Sequence, residues 1–266
     1  MQIGIIGLGL IGGSIYKKLS EFGHELVVVT RNKSTLEKVK NDGVVCSCDY
    51  SVLKNCDIVF VCTPIENTLE TLDRLEDVVS ENCTVTDVAS VKKFVTEKKR
   101  PYKFIPSHPM AGTENSGYDA SFAELFQGAK WVLTPYDCQD FEKLVELIKQ
   151  TGATPIIANA NEHDKAVALI SHMPMLISQA LFYSAKDNKL AMKLASSGFR
   201  DTTRLAMSDL KLAKNMLSFN AENISKSLEN FQNSLETLQN NYSDEVLADI
   251  KNDRKKMYSP EGKNIL

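Results

Sequence analysis

Two periodicities alternate along the first half of the chain. Short apolar, β-branched runs at Ile3 to Ile6, Leu26 to Val29, Ile58 to Cys62, Thr84 to Asp87 and Phe104 to Pro106 read as buried strands. The intervening segments 11–22, 34–41, 67–79 and 91–98 carry apolar residues every three to four positions and read as helices. Parallel strands need a crossover connection, so this alternation predicts an α/β fold, a parallel sheet with helices on both faces. Lys130 to Thr134 and Thr154 to Ile157 bracket an amphipathic stretch from Phe141 to Lys149 and are expected to extend the same sheet.

After about Ala158 the strand signal disappears and helical spacing takes over. Ala166, Leu169 and Ile170 define one expected face, followed by Leu176, Ala180 and Leu181. From Leu217 to Leu238 the apolar residues Phe219, Ile224, Leu228, Phe231, Leu235 and Leu238 mark a stripe on an otherwise polar helix. The polar stretch Asn159 to Glu162 is the natural boundary, dividing the chain into 1–158 and 159–266. Roughly one hundred residues of helix without a sheet cannot bury several apolar faces alone, so packing on the first domain or on a second copy of the chain is expected.

Composition narrows the partners. The 31 Lys and Arg against 34 Asp and Glu leave a net charge of −3, which supplies no global field for nucleic acid or an anionic membrane. A small molecule or a protein is favoured instead. No run approaches the roughly 18 apolar residues that span a bilayer, and the N-terminus opens on Gln2-Ile3-Gly4-Ile5-Ile6 without the features of a signal peptide. Cys46, Cys48, Cys56, Cys62, Cys83 and Cys138 form no Cys-x-x-Cys pair, and reduced thiols in the cytoplasm are the expected state.

The first chemical signal is Gly7-Leu8-Gly9-Leu10-Ile11-Gly12, between the first strand and the first helix. The first glycine permits the tight turn, the second lets backbone approach a pyrophosphate, and the third lets helix and strand pack closely. The helix N-terminus offers free amides to the anion. This context predicts a Rossmann-type dinucleotide-binding domain. Preference for NAD normally places Asp or Glu at the end of the second strand, on the ribose 2′-hydroxyl. Here the chain has Thr30-Arg31-Asn32, so nothing repels a 2′-phosphate and Arg31 and Thr30 can bond it. NADP is expected over NAD. Thr63-Pro64, at the carboxyl end of the third predicted strand, is a candidate lining for the nicotinamide ribose.

Two polar loops leave the same sheet edge. Ser90 lies in Thr86-Asp87-Val88-Ala89-Ser90-Val91-Lys92, and His108 in Ser107-His108-Pro109-Met110-Ala111-Gly112. Histidine accepts a proton near neutral pH, as oxidation of an alcohol by hydride transfer requires. In the helical half, His163, Asp164 and His172 have poor spacing for a metal, and no metal site is expected. The neighbours Ser171 and His172 point to different sides of a helix and do not form a hydrolytic pair. Arg200 and Arg204, four residues apart, are expected on one helix face, where two guanidinium groups suit a carboxylate.

Together these segments resemble the arogenate/prephenate dehydrogenase family of tyrosine biosynthesis. The resemblance is carried by Gly7–Gly12, Thr86–Lys92, His108–Thr113, the His-Asp and Ser-His-x-Pro elements within His163–Pro174, and Ser196–Arg204. It implies a nucleotide-binding domain followed by an all-α dimerisation domain, with the active site between them. By the same resemblance His108 is the base for the ring hydroxyl, and Ser90 orients that hydroxyl and the nicotinamide. Arg204 binds a substrate carboxylate, with Arg200, Ser171, His172, Thr113 and Glu114 around it. Members that prefer prephenate can carry a second histidine shortly after Ser-His-x-Pro; Met175 stands there. With the expected NADP preference, this favours arogenate, and Glu114 or Asp119 could face its ammonium group. Helical pattern continues almost to Tyr258, so neither a fused chorismate mutase nor a C-terminal regulatory domain is expected. A β-hydroxyacid dehydrogenase or imine reductase, and a non-catalytic NADP-sensing protein, are the competing readings; neither calls for Ser90, His108 and Arg204 together.

Overall fold

The computed structural model describes residues 1–113, 115–136 and 141–258. Six parallel strands form the first sheet: β1 (Gln2–Ile6), β2 (Glu25–Val29), β3 (Val45–Ser47), β4 (Ile58–Val61), β5 (Thr84–Asp87) and β6 (Lys103–Phe104). Their spatial order is β3-β2-β1-β4-β5-β6. The order reverses between β1 and β4, which opens the crevice where open α/β sheets bind ligands. Helices α1 (Leu10–Leu19), α2 (Lys33–Asn41) and α3 (Ile65–Leu75) make the crossovers. Residues 3–6 of β1 and all of β4 are buried, as strands covered on both faces must be.

Four expectations are corrected here. The segment 91–98 is not a helix but a loop with a short 3-10 turn, Lys93–Val95, because Lys92 is drawn into the interior. Residues 130–134 and 154–157 do not extend the first sheet. Their strands, β8 (Lys130–Leu133) and β9 (Thr154–Ile157), join β7 (Ser107–Pro109) in a separate three-stranded sheet, with β7 antiparallel to β8. The chain leaves β6 at Phe104, so the expected strand 104–106 stops early and β7 is free to change sheets. The short β3 lay outside the expected set altogether.

Behind β9, α4 (Glu142–Gln150) buries Leu144, Leu147 and Ile148 in a core shared with Trp131, Phe126 and Phe60. The helical half then runs through α5 (Ala160–Val167), a π turn (Ala168–His172), α6 (Met173–Ala185), α7 (Lys189–Leu194), α8 (Ser197–Thr202), α9 (Leu210–Phe219), α10 (Ala221–Asn240) and α11 (Asp244–Tyr258). The expected 217–238 helix is two helices broken at Asn220, whose side chain turns inward to bond the Asp164 carbonyl. The face expected to be buried on α5 is also corrected. Val167 and Ala168 are the buried pair, while Ala166, Leu169 and Ile170 are exposed. Leu181, Phe182, Leu190, Leu194, Met207 and Leu210 add to the uncovered apolar surface.

The stretch Ala160–Ala185 is 26 residues long and, by length and composition, apolar enough to cross a membrane. Its His163, Asp164 and His172 are nevertheless buried and hydrogen-bonded within the protein, the character of a packed helix with one uncovered side. Among the described residues Cys46, Cys48, Cys56, Cys62 and Cys83 are free thiols; Cys138 lies outside them. Burial pushes the thiols of Cys56 and Cys83 up to about 12, so they are poor nucleophiles.

Candidate active site

The glycine loop has the geometry its sequence demands. Gly7 adopts φ +88°, and a Cβ there would stand 2.8 Å from the Cys62 carbonyl oxygen. At Gly12 a Cβ would fall 2.0 Å from the Gly7 oxygen, so the helix can approach the strand only with glycine present. Gly9 differs: nothing lies within 4 Å of its Cβ position. That open space sits at the N-cap of α1, which has neither a capping side chain nor an acid in its first turn. Free amides and an open approach fit a pyrophosphate. Across the switch point, two residues after β4, the Thr63 hydroxyl is buried without a hydrogen-bond partner among the described residues, next to exposed Pro64. The residues present therefore fit a dinucleotide; Leu8 and Ile11 pin the turn to the core beneath it, and Leu10, half-buried, opens α1.

At the end of β2, the buried Thr30 hydroxyl accepts from the Asn32 amide at 3.3 Å and keeps its own proton to donate. The Asn32 side chain is committed elsewhere: its Oδ1 caps α2 by accepting from Thr35 at 3.2 Å. Arg31 is exposed.

His108, expected on a loop leaving the edge of the first sheet, stands instead at the centre of β7 in the second sheet, paired with Val132 of β8, because the chain turns aside after Pro106. Strand alternation sends Ser107 and Pro109 into the interior and His108 to the opposite side. Ser107 is an anchor. Its hydroxyl accepts from Thr86 and from Trp131 Nε1, both at 2.9 Å, and donates to the Asp87 carbonyl at 2.7 Å. Beneath it lies an ion pair between Lys92 and Asp87, both with no exposure. The Lys92 ammonium also donates to the Ser107 carbonyl at 2.6 Å, while Asp87 accepts from the Ala89 amide at 3.0 Å. Ser90 rides on this loop, half-buried, two residues before Lys92.

From the helical half, α5 presents His163 to His108, with Nε2 of the former 2.9 Å from Nδ1 of the latter. His163 Nδ1 is 2.8 Å from Asp164 Oδ1, and Asp164 also accepts from the Lys92 and Lys93 amides at 2.7 and 2.9 Å. Burial, then the nearby His163, Lys92 and His172, hold the His108 imidazole well below the usual histidine range. It is neutral at pH 7, as a base must be. The π turn places His172 wholly inside, with Nδ1 3.2 Å from the Asn220 amide nitrogen and Nε2 unpartnered; burial pushes it down to about 4. Such a turn inserts one residue into the helix and re-aims its side chains, a device common at functional sites.

The remaining candidates are less gathered. Ser171 is half-buried beside His172, and Thr113 is exposed in the loop after β7. Arg200 and Arg204 do not share a helix: α8 ends at Thr202 and Arg204 opens a separate 3-10 turn. Arg200 is exposed and bonds its neighbour Asp201 at 3.0 Å. Arg204 is exposed and has no ion-pair partner among the described residues. Asp119 is taken by Lys38 at 2.5 Å on the outer surface, and Glu114 lies outside the described residues. The roles of Lys92, Asp87, Asn220 and the His163-Asp164 pair escaped the sequence reading. Lys92 lies five residues after β5 and is followed by the exposed Lys93, so nothing in its local sequence marks it for burial.

The comparisons with known proteins meet this geometry. The nucleotide-binding domain of prephenate dehydrogenase matches residues 15–157, and its dimerization domain matches residues 159–252. The chain belongs to the prephenate dehydrogenase family. Among solved structures, Synechocystis arogenate dehydrogenase is 37% identical, covers 96% of this chain and 99% of its own, and superposes with a TM-score of 0.84. Prephenate dehydrogenase from Aquifex aeolicus, in complex with hydroxyphenyl propionate and NAD+, is 27% identical over 97% of this chain and 98% of its own, also with a TM-score of 0.84. The prephenate dehydrogenase of Lactococcus lactis is 32% identical over 83% of this chain, which spans 65% of that relative's length. The chain thus carries the nucleotide-binding and dimerization domains of an oxidoreductase family.

Proposed function

We propose that this chain is an NADP-dependent arogenate dehydrogenase, converting arogenate to tyrosine by oxidative decarboxylation. The observation that carries the reading is His108, a neutral imidazole at the centre of β7 met by His163 from the helical half, in a chain whose β1–α1 turn forms an open glycine cradle. Bound on Gly7–Gly12 with Thr30, Arg31 and Thr63-Pro64, the cofactor supplies a hydride acceptor. Ser90 orients the ring hydroxyl and the nicotinamide, and His108 takes the hydroxyl proton as the ring carbon gives up hydride. The ring carboxylate then leaves as carbon dioxide and the ring becomes aromatic, which drives the reaction forward. Arg204 receives a substrate carboxylate, with Arg200, Ser171, His172, Thr113 and Glu114 completing that side.

Support for NADP comes from the absence of a carboxylate in Thr30-Arg31-Asn32. Support for arogenate comes from Met175, buried on α6, where an imidazole would otherwise be available to the side-chain end of the substrate. The apolar side chains uncovered on the helical half support a homodimer built through residues 159–266. NADPH absorbance with arogenate and prephenate, each with NADP and NAD, tests the reading directly. A kcat/KM higher with prephenate, or equal for both cofactors, overturns the corresponding half. His108→Asn should keep cofactor affinity and lose kcat by about 10²–10⁴-fold, the usual worth of a general base. A near-normal kcat removes His108 from the chemistry.

A further inference from the structure

Asp164 stands at the far end of a hydrogen-bonded line that reaches His108 from the other half of the chain. Both carboxylate oxygens are occupied by donors: Oδ1 by the Lys92 amide at 2.7 Å and His163 Nδ1 at 2.8 Å, Oδ2 by the Lys93 amide at 2.9 Å. A carboxylate held by two backbone amides is an acceptor, so His163 Nδ1 must carry the hydrogen. A neutral His163 then has its lone pair on Nε2, 2.9 Å from His108 Nδ1, which must in turn be the donor. The lone pair of His108 is thereby placed on Nε2, the one ring nitrogen left for a substrate. His163 and Asp164 are each 3% exposed or less, so water does not compete for these bonds.

We propose that His163 and Asp164 are positioning residues that set the tautomer of His108 and hold, between oxidation and aromatisation, the proton it removes. This rests on the reading of His108 as the base. In the oxidation the substrate O–H bond breaks and an N–H bond forms at His108 Nε2. The Nδ1–H bond of His108 breaks as His163 Nε2 gains that proton, and the hydride goes to the nicotinamide. His163 becomes an imidazolium against the Asp164 carboxylate. Loss of carbon dioxide leaves its bonding electrons in the ring and a negative charge on the ring oxygen, and the two transfers reverse to return a proton there. No proton is released overall, and the enzyme ends in its starting tautomer.

The charged groups around the line fit this role. The Lys92 ammonium faces His108 but is neutralised by Asp87, and His172, reached through Asn220, stays neutral near pH 7. Among the described residues, Asp164 is the charged side chain hydrogen-bonded to the pair. No comparable aid reaches His108 from its own strand, where the neighbours are Ser107 and Pro109.

Nitrogen-15 NMR of the wild-type protein, without substrate, reads the tautomer directly. The expected result is a protonated Nδ1 and a bare Nε2 on His108, with a protonated Nδ1 on His163; a bare Nδ1 on His108 overturns the proposal even if the enzyme is active. His163→Gln keeps an amide oxygen able to accept from His108 Nδ1 but cannot take a proton. It should lose kcat at least tenfold with NADPH affinity unchanged, and a near-normal kcat means that His163 only orients. Asp164→Asn keeps an acceptor for His163 and removes the charge, so the acid limb of kcat/KM should move to lower pH by about one pH unit or more. An unmoved limb in a variant that still binds NADPH rejects the charge role. The kinetics use whichever ring substrate turns over, so an error over arogenate leaves these outcomes readable.

Discussion

Replacing Lys92 by Met tests whether the buried ion pair holds β7 in place. In the wild type the ammonium is shared between Asp87 and the Ser107 carbonyl, and neither Lys92 nor Asp87 has any exposure. Met restores most of the volume but leaves the Asp87 charge, among the described residues, with the Ala89 amide at 3.0 Å and the Ser107 amide at 3.3 Å. Removing one partner of a buried pair costs about 3–5 kcal/mol, because the other charge is left uncompensated. Against a total stability of about 5–15 kcal/mol this is a large fraction. Trp131, the single tryptophan of the sequence, is buried and donates to Ser107, so its fluorescence in a urea titration reports on this region. Protein concentration must be held fixed, since association would contribute to the apparent stability. Adding Asp87→Asn to Lys92→Met removes the orphan charge and should recover more than about 1 kcal/mol relative to Lys92→Met alone. A Lys92→Met loss below about 1 kcal/mol, or a double variant that is simply additive, refutes the assignment.

Three further predictions follow from the glycine loop, the end of β2 and the buried imidazole. Gly9→Ala should melt like the wild type, because its Cβ meets nothing, yet bind NADP at least tenfold more weakly by filling the phosphate approach; unchanged affinity in a titration would place the pyrophosphate elsewhere. Arg31→Ala should raise the KM for NADP by about 10–100-fold, the worth of a charge-assisted bond of about 1.5–3 kcal/mol, while leaving the KM for NAD nearly unchanged; equal effects on both cofactors would detach Arg31 from the 2′-phosphate. His172 is neutral in the folded protein down to about 4, whereas in the unfolded chain it takes up a proton near its ordinary value of about 6.5. The unfolded state therefore binds more protons over that window, and stability is full above about pH 6.5 and falls on acidification toward pH 4. The total is about 3 kcal/mol from this group alone, with His108 acting in the same direction. Urea midpoints measured between these pH values should fall more steeply for the wild type than for His172→Gln, and parallel slopes would contradict the burial argument.

The sequence by itself determined the local half of this protein. Gly7, Gly9 and Gly12 specify their turn through backbone geometry within six residues, and β-branched runs in β1, β2, β4 and β5 specify strands through periodicity alone. The missing carboxylate after β2 and the polar loop bearing Ser90 were legible for the same reason: each depends on its position along the chain, whereas His108, read as a loop residue, belongs to β7. What stayed hidden depends on partners far away in sequence. Whether 130–134 continued the first sheet was decided by β7 turning aside after Pro106, and β3, with three residues, had too little length for a pattern. Lys92 carries the composition of a solvated position and is buried because Asp87 and the Ser107 carbonyl await it. Leu169 and Ile170 read as core, yet the helix spends its inward face on His163, Asp164, Val167 and Ala168. His163 and His108 are 55 residues apart and gain meaning only as a pair. Tertiary structure alone could settle these points, because burial, ion pairing and the direction of a hydrogen bond are properties of neighbours in space.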